Sequence, residues 1–154
     1  MDVRIHYDRV APGIYEAMGA LEHYLHHCSL EPALVHLVKL RASQLNGCAY
    51  CLDMHWKDLR VAGESEQRLY SLDAWRECAC YTNRERAALA WTEAVTRVAD
   101  GHVPDAVYDE VRTVLQDKEL ADLTLAVATI NAWNRLAIAA RITPGTYQPA
   151  SPHA

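Results

Sequence analysis

The stretch from Asn46 to His55 constrains the fold and chemistry of this chain more than any other stretch. Asn46-Gly47 is a dipeptide that breaks helices and forms turns, so it ends one helix and lets another begin. Cys48 and Cys51 then fall in the first turn of the new helix, where free backbone N–H groups and the helix dipole favour a thiolate. His55 follows Cys51 by four residues and shares its helical face. The sequence therefore predicts a dithiol and a base at one electropositive helix end.

Apolar residues recur at helical spacing along most of the chain, and no stretch shows the alternation typical of a β-strand. The predicted helices cover residues 14–28, 34–46, 48–63, 64–75, 82–101, 104–115 and 118–141. Residues 1–10 are predicted to form an extended arm, and the proline-containing residues 142–154 an irregular tail. The expected fold class is therefore all-α, a single domain of about seven helices over residues 1–154.

Two helix starts carry capping signals. Thr82 and Glu85 have the spacing of a capping box, in which each side chain accepts a hydrogen bond from the backbone N–H of the other residue. Asp117 is expected to cap the last helix, because aspartate is a favoured N-cap residue. That last helix is apolar on nearly every side, which indicates a central position in the fold.

A short internal similarity points to a duplication of one helical unit. Leu40–Asn46 can be aligned with Leu125–Asn131, and the cysteine positions of the first copy are taken by Trp133 and Leu136 in the second. Seven aligned residues are also compatible with a chance similarity between two apolar helices, so both explanations stay open.

Composition narrows the classes of partner and the compartment. The chain has 154 residues, of which 51% are hydrophobic, enough to build a sizeable core. A formal net charge of −5 gives no basic surface for nucleic acid, and no apolar run is expected to cross a membrane. Five cysteines and a polar N-terminus favour a reducing cytoplasm, where C-x-x-C is catalytic or metal-binding rather than structural.

The residues from Ser43 to His55 resemble the core of the alkylhydroperoxidase D-like family, within the carboxymuconolactone decarboxylase superfamily. The family motif C-x-x-C-x-x-x-H is matched at Cys48, Cys51 and His55, and the Asn-Gly before it is matched as well. The similarity is clearest over residues 34–63. In the family's peroxidase members a glutamate twelve residues before the first cysteine joins a proton relay. Here that position is His36, a residue type that can also pass protons.

The resemblance implies a thiol-dependent peroxidase or disulfide reductase that uses Cys48, Cys51, His55 and His36, with no cofactor and no metal. It implies a hydroperoxide substrate, a lipoyl-type or thioredoxin-like dithiol as reductant, and a homotrimer or a hexamer built from trimers. Cys51 is the expected attacking residue, because His55 is placed to take its proton. Cys48, nearer the helix tip, is expected to meet the reductant.

Other interpretations of the same residues remain. The dithiol could be part of a Cys₂His₂ zinc site completed by His36 and His55, although a second C-x-x-C pair is missing. The protein could also be a non-enzymatic redox sensor or a small-molecule-binding helical oligomer that retains the dithiol. The decarboxylase branch of the superfamily typically lacks the cysteine pair, which argues against it. The remaining cysteines are expected to stay thiols: Cys28, Cys78 and Cys80.

Overall fold

The computed structural model describes residues 2–149, and all regular structure in that range is helical. Its α-helices are α1 (Tyr7–Val10), α2 (Gly13–His26), α3 (Pro32–Asn46), α4 (Ala49–Val61), α5 (Glu66–Ser71), α6 (Asn83–Thr96), α7 (Val98–Gly101), α8 (Asp105–Arg112) and α9 (Asp117–Ala140). A 3-10 turn, Leu72–Ala74, continues α5. The all-α prediction is confirmed, and the two additional helices, α1 and α7, are single turns of four residues.

Helices α3 and α9 form the centre of the fold and pack against each other. Val38 on α3 and both Leu123 and Val127 on α9 are fully buried between them and α6. Contrary to the sequence-based expectation, α9 is long and apolar enough to cross a membrane by length and composition. It packs, however, against α2, α3, α4, α6 and α8 in this structure. Its apolar sides are therefore accounted for by the core of the fold, as its predicted central position requires.

Two helix starts and the N-terminal arm differ in how well the sequence predicts them. The predicted capping box is present, since the Glu85 N–H donates to Thr82 Oγ1 at 3.2 Å and the Thr82 N–H donates to a Glu85 carboxylate oxygen at 2.7 Å. The prediction for the last helix is wrong by one residue. Gln116 is its N-cap, because Glu119 reaches back to accept from the Gln116 N–H at 2.8 Å. The predicted extended arm is also interrupted, because α1 forms one helical turn within it.

The turn between α3 and α4 is closed by Gly47, as the sequence predicts. Gly47 has φ of 67°, in the left-handed region that favours glycine. The Gly47 N–H donates to the Gln44 carbonyl at 3.1 Å, and the Cys48 N–H donates to the Ser43 carbonyl at 3.0 Å. These two bonds form a Schellman motif, which satisfies the last carbonyl groups of α3. The turn leaves Cys48 at the N-cap of α4.

The C-terminal segment, residues 142–149, has no regular structure but lies against α4. The Tyr147 hydroxyl donates to Asp58 Oδ1 at 2.6 Å, and Lys57 Nζ donates to the Tyr147 carbonyl at 3.0 Å. The Gly145 N–H donates to Asp53 Oδ2 at 3.0 Å. The predicted irregular tail therefore makes defined contacts as far as the structure describes it, and its residues 150–154 lie outside the described range.

The two segments of the suggested duplication meet at their asparagines. Asn46 Nδ2 donates to Asn131 Oδ1 at 3.0 Å, so the aligned residues of α3 and α9 are direct neighbours. This contact explains why an asparagine stands at each of the two positions, and the explanation does not require that the two segments share an origin. The duplication therefore stays a prediction.

Replacing Gly47 with alanine should lower the free energy of unfolding by about 1–2 kcal/mol, because a Cβ is disfavoured in the left-handed region. No atom lies within 4 Å of the added Cβ, so the effect comes from the backbone alone. Gly19→Ala is the matched control. Gly19 lies inside α2 with equally open space, and alanine there should raise stability by about 0.5–1 kcal/mol. Urea unfolding of both variants measures the difference, and changes of the same sign would contradict the assignment.

Candidate active site

The two thiols of the C-x-x-C pair face each other at the start of α4. Cys48 is the N-cap residue and Cys51 lies in the first turn, and their Sγ atoms are hydrogen-bonded at 2.8 Å. Both side chains are almost fully buried, at 1% and 2% exposure. Both are free thiols in this structure. The turn predicted from Asn46-Gly47 thus produces a close dithiol at a helix N-terminus.

The surroundings of the pair separate the acidities of the two thiols. The hydrogen bond from Cys51 lowers the pKa of Cys48 to about 7, with further help from the backbone N–H groups of Tyr50 and Cys51 and from the Asn134 side chain. The same bond to Cys48, together with burial, raises the pKa of Cys51. The resting negative charge therefore belongs on Cys48. This differs from the sequence-based expectation that Cys51, with His55 behind it, is the more readily deprotonated thiol.

Asn134 is a site residue that the sequence analysis missed. It lies on α9, is fully buried, and its side chain acts to lower the pKa of both thiols of the pair. Its amide is held in place by two bonds, because Asn46 Nδ2 donates to its Oδ1 at 2.8 Å and its Nδ2 donates to Ser43 Oγ at 3.1 Å. The available signal was a pair of asparagines three residues apart on an otherwise apolar helix, since a buried amide needs polar partners.

The two predicted histidines form a pair beside the thiols. His55 on α4 is 4% exposed, and its Nδ1 lies 3.4 Å from Nδ1 of His36 on α3. Burial lowers the pKa of His55 well below its ordinary value and also lowers that of His36, with the positive charge of Lys39 acting in the same direction. Both rings are therefore neutral at pH 7. His55 Nε2 is buried without a hydrogen-bond partner among the described residues, so this nitrogen is available for a proton or a ligand.

A carboxylate completes this group, and the sequence analysis did not find it. Asp58 Oδ2 lies 3.8 Å from His36 Nδ1 and 4.0 Å from His55 Nδ1. Its other oxygen accepts the hydrogen bond from Tyr147. Asp58 follows His55 by three residues on α4, so helical spacing alone could have placed the two on one face. The contribution of Tyr147, from the C-terminal segment, carries no such local signal.

A cavity of about 720 Å³ connects these groups. Cys51, His55, His36 and Asp58 line it, whereas Cys48 lies behind Cys51 and does not. The remaining wall is mainly apolar and aromatic, with contributions from Leu25, Val35, Tyr50, Trp133 and Ile142. A volume of this size is typical of a pocket for a small molecule. The structure thus brings all four predicted site residues together, three of them at the cavity surface.

The expectation that all other cysteines remain thiols is wrong for two of them. Cys78 and Cys80 are joined by a disulfide, while Cys28 is free. The chain turns at these residues and places the two Cα atoms 5.4 Å apart, a separation that a disulfide spans. This bond packs beside the core around Leu69 and Leu72, in a different hydrophobic cluster from the C-x-x-C pair. The cytoplasmic location stays a prediction.

The helical fold, with a C-x-x-C pair and a histidine at the start of a helix, defines an alkylhydroperoxidase D-like protein. The chain matches the model of the carboxymuconolactone decarboxylase family over residues 12–94. It is 42% identical to the uncharacterized protein YdfG of Bacillus subtilis (strain 168) over 139 residues, 90% of this chain and 95% of that protein. The chain therefore belongs to the carboxymuconolactone decarboxylase family, as the motif resemblance predicted.

Solved structures agree with this assignment. A protein of unknown function from Agrobacterium tumefaciens, whose name suggests the antioxidant defence protein AhpD, is 41% identical. The match covers 95% of this chain and 100% of that one, with a TM-score of 0.91. A peroxidase-related protein with an alkylhydroperoxidase AhpD core from Ralstonia eutropha is 21% identical and has a TM-score of 0.78, covering 88% of this chain and 73% of its own. The second similarity shows the fold alone.

The thiol pair should titrate with a pKa near 7, and this titration should belong to the Cys48 thiol. In a Cys28→Ala background, alkylation by iodoacetamide should slow as the pH falls below this value, because the thiolate is protonated. Cys48→Ser should abolish this titration, whereas Cys51→Ser should retain it, since a hydroxyl can still donate to the Cys48 sulfur. Asn134→Leu should raise the pKa by removing one donor. A titration near 7 that survives in Cys48→Ser would contradict the assignment.

Proposed function

We propose that this protein is a dithiol peroxidase that reduces hydroperoxides through Cys48 and Cys51. The observation that carries the proposal is the cavity, into which one sulfur of a polarised thiol pair opens beside the histidine pair. The family assignment and the antioxidant name of the relative from Agrobacterium tumefaciens point in the same direction. A cavity with a nucleophile and a base on one wall also supports catalysis over mere binding.

The chemistry starts at Cys51, because this thiol lines the cavity and Cys48 does not. The resting charge belongs on Cys48, so Cys51 must first give its proton to the histidine pair. The Cys51 thiolate then attacks one oxygen of the hydroperoxide, the O–O bond breaks, and the other oxygen leaves as an alcohol after taking a proton. Cys51 is now a sulfenic acid. The Cys48 sulfur, 2.8 Å away, attacks the Cys51 sulfur and releases water, which leaves a disulfide between them. An external dithiol then restores the pair by thiol–disulfide exchange and is itself oxidised.

In this proposal the histidine pair accepts the proton of Cys51. The proton crosses the cavity through a water molecule or the hydroperoxide itself, because no hydrogen bond joins His55 Nε2 to a sulfur among the described residues. His55 accepts a proton at Nε2 only in the tautomer whose Nδ1 carries hydrogen, and in this tautomer Nδ1–H donates to His36 Nδ1. When His55 gains a proton at Nε2, it passes the Nδ1 proton to His36. The side chain of His36 is 29% exposed, so it can release that proton to solvent. Asp58, within 4.0 Å of both rings, stabilises the transient positive charge.

The shape of the cavity bears on the substrate and on the reductant. Its apolar wall, with Leu25, Val35 and Trp133, fits an alkyl chain better than a charged molecule. Lys39 and Glu22 on the wall neutralise each other through a salt bridge of 2.5 Å, and Asp58 lies against the two histidines. We therefore favour organic hydroperoxides over hydrogen peroxide. A lipoyl-type dithiol, which has an alkyl arm, is the favoured reductant over a thioredoxin-like protein.

Removing the proposed base should slow peroxide reduction. His55→Ala should lose at least about 10²-fold in the rate of the first step, the lower end of what general-base assistance typically contributes. His36→Glu should retain much of the rate, since a carboxylate can accept the relayed proton, and His36→Leu should lose more. Stopped-flow reaction of the reduced protein with cumene hydroperoxide and with hydrogen peroxide measures these rates.

His6→Ala is the matched control for this series, because His6 is exposed on the N-terminal arm. Equal rates in the wild type and His55→Ala would leave the base assignment without support.

Trapping of the sulfenic acid with dimedone should label Cys51 in Cys48→Ser. If dimedone labels Cys48 in Cys51→Ser but does not label Cys51 in Cys48→Ser, the order of attack is the reverse of the one proposed. Oxidation without turnover in the presence of any dithiol would favour a redox sensor instead.

The protein should also form a trimer or a hexamer. The observation in favour is a set of large hydrophobic side chains that a single chain leaves exposed, including Val10 at 71% and Tyr70 at 73%. Association would remove such surfaces from water. Light scattering at micromolar concentration should give at least three times the chain mass. A monomer of 17.3 kDa would contradict this prediction.

A further inference from the structure

Three potential metal ligands converge on one point at the wall of the cavity. They are Nδ1 of His36, Nδ1 of His55 and Oδ2 of Asp58. The three separations between these atoms are 3.4, 3.8 and 4.0 Å. Two neutral imidazoles that face each other through Nδ1 can share a single proton, and the carboxylate is too distant to join that hydrogen bond. One shared proton therefore links the two nitrogens and leaves Asp58 Oδ2 outside the hydrogen bond, whereas one cation would contact all three atoms.

From this geometry we propose that His36, His55 and Asp58 bind one zinc ion. The centre of the triangle formed by the three atoms lies about 2.2 Å from each of them, close to ordinary zinc–nitrogen and zinc–oxygen bond lengths. Two imidazoles and one carboxylate are a ligand set that zinc uses when it keeps a fourth position open. That position faces the cavity, since all three residues line it.

The spacing of the ligand atoms distinguishes zinc from a magnesium-like ion. Ligands at right angles on an octahedral ion, with bonds of about 2.1 Å, lie about 3.0 Å apart, and tetrahedral ligands lie about 3.4 Å apart. All three measured separations are 3.4 Å or more, so the site fits a low coordination number. Nitrogen ligands also suit zinc and its transition-metal neighbours rather than magnesium.

The surroundings of the three ligands support binding. The Tyr147 hydroxyl holds Asp58 Oδ1 at 2.6 Å, which turns Oδ2 toward the histidines, an arrangement that commonly orients a metal ligand. The nearby positive charge of Lys39 would repel an ion, but Glu22 neutralises it at 2.5 Å. Burial also keeps both rings neutral, the form that binds metal.

This site has a consequence that rests on the proposed peroxidase function. Zinc at Nδ1 of His55 places the ring proton on Nε2, and an Nε2–H group cannot accept the proton of a thiol. Zinc at Nδ1 of His36 closes the onward route in the same way. Zinc should therefore inhibit peroxide reduction by occupying the relay, without binding to either sulfur. The histidines would serve either proton transfer or metal binding, but not both at once.

The test of the site uses binding and is independent of activity. The full chain with Cys48→Ser and Cys51→Ser removes the thiols as ligands. His23→Gln and His27→Gln are added, because these two rings lie 4.7 Å apart on one face of the α2 end and offer an adventitious site. Isothermal titration calorimetry of this metal-free protein with Zn²⁺ should give one bound ion per chain. Mg²⁺ should neither bind nor compete.

Variants at Asp58 and Tyr147, together with spectra of the two histidines, then locate the ion. Asp58→Asn should raise the dissociation constant at least about tenfold, and Tyr147→Phe, which removes only the orienting bond, should raise it by about tenfold or less. Asp109→Asn, a change at an exposed aspartate on α8, is the matched control, and it should leave zinc binding unchanged. In the parent protein, ¹⁵N spectra of the histidine side chains should show zinc shifting Nδ1 of His36 and His55.

The result that overturns the site is the absence of stoichiometric binding in the cysteine-free, His23/His27-free protein. Binding that is equal in Asp58→Asn and Asp109→Asn, or ¹⁵N shifts confined to other histidines, would overturn it as well. A protein that binds zinc as expected but fails to reduce hydroperoxides would refute the peroxidase proposal and leave the site intact. These outcomes keep the two proposals separable.

Discussion

The packing of α4 against α3, fixed by the left-handed turn at Gly47, is the constraint on which the candidate site depends. The turn sets Cys48 at the start of α4 and folds the helix back along its predecessor. Side chains nineteen positions apart, His36 and His55, thereby become neighbours. The electropositive helix end and the histidine pair are thus two products of a single change of chain direction. A site assembled this way is rigid, because its geometry is that of two packed helices rather than of a loop.

Burial then determines how the site behaves chemically. In a nearly dry environment, a negative charge on sulfur requires hydrogen-bond donors, and the backbone of α4 and Asn134 provide them. Burial also lowers the pKa values of the two imidazoles and keeps them uncharged. The site therefore holds one stabilised negative charge, a neutral pair of bases and one compensating carboxylate within a mostly apolar wall. Burial and immediate contacts shift the pKa values of both thiols and both imidazoles.

Local chemistry explains how much of this the sequence alone could predict. The Asn-Gly break, the C-x-x-C spacing and the histidine four residues later concern neighbours along one helix, and they gave the helix end, the dithiol and the shared face. Residues contributed across the fold escaped prediction. Asn134 on α9 and Tyr147 in the C-terminal segment lie more than eighty residues from the partners they contact, and no spacing rule connects them. The Cys78–Cys80 bond escaped for a related reason, since it depends on a loop path that residue spacing does not specify.

The position of the C-terminal segment has a practical consequence for preparing this protein. Pro149, the last residue that the structure describes, lines the cavity. An affinity tag fused shortly after Pro149 would therefore start beside the candidate site, and a polyhistidine tag there would bring additional imidazoles close to the two histidines of the site. Purification handles belong at the other end of the chain, or should be cleaved before any metal or thiol titration is interpreted.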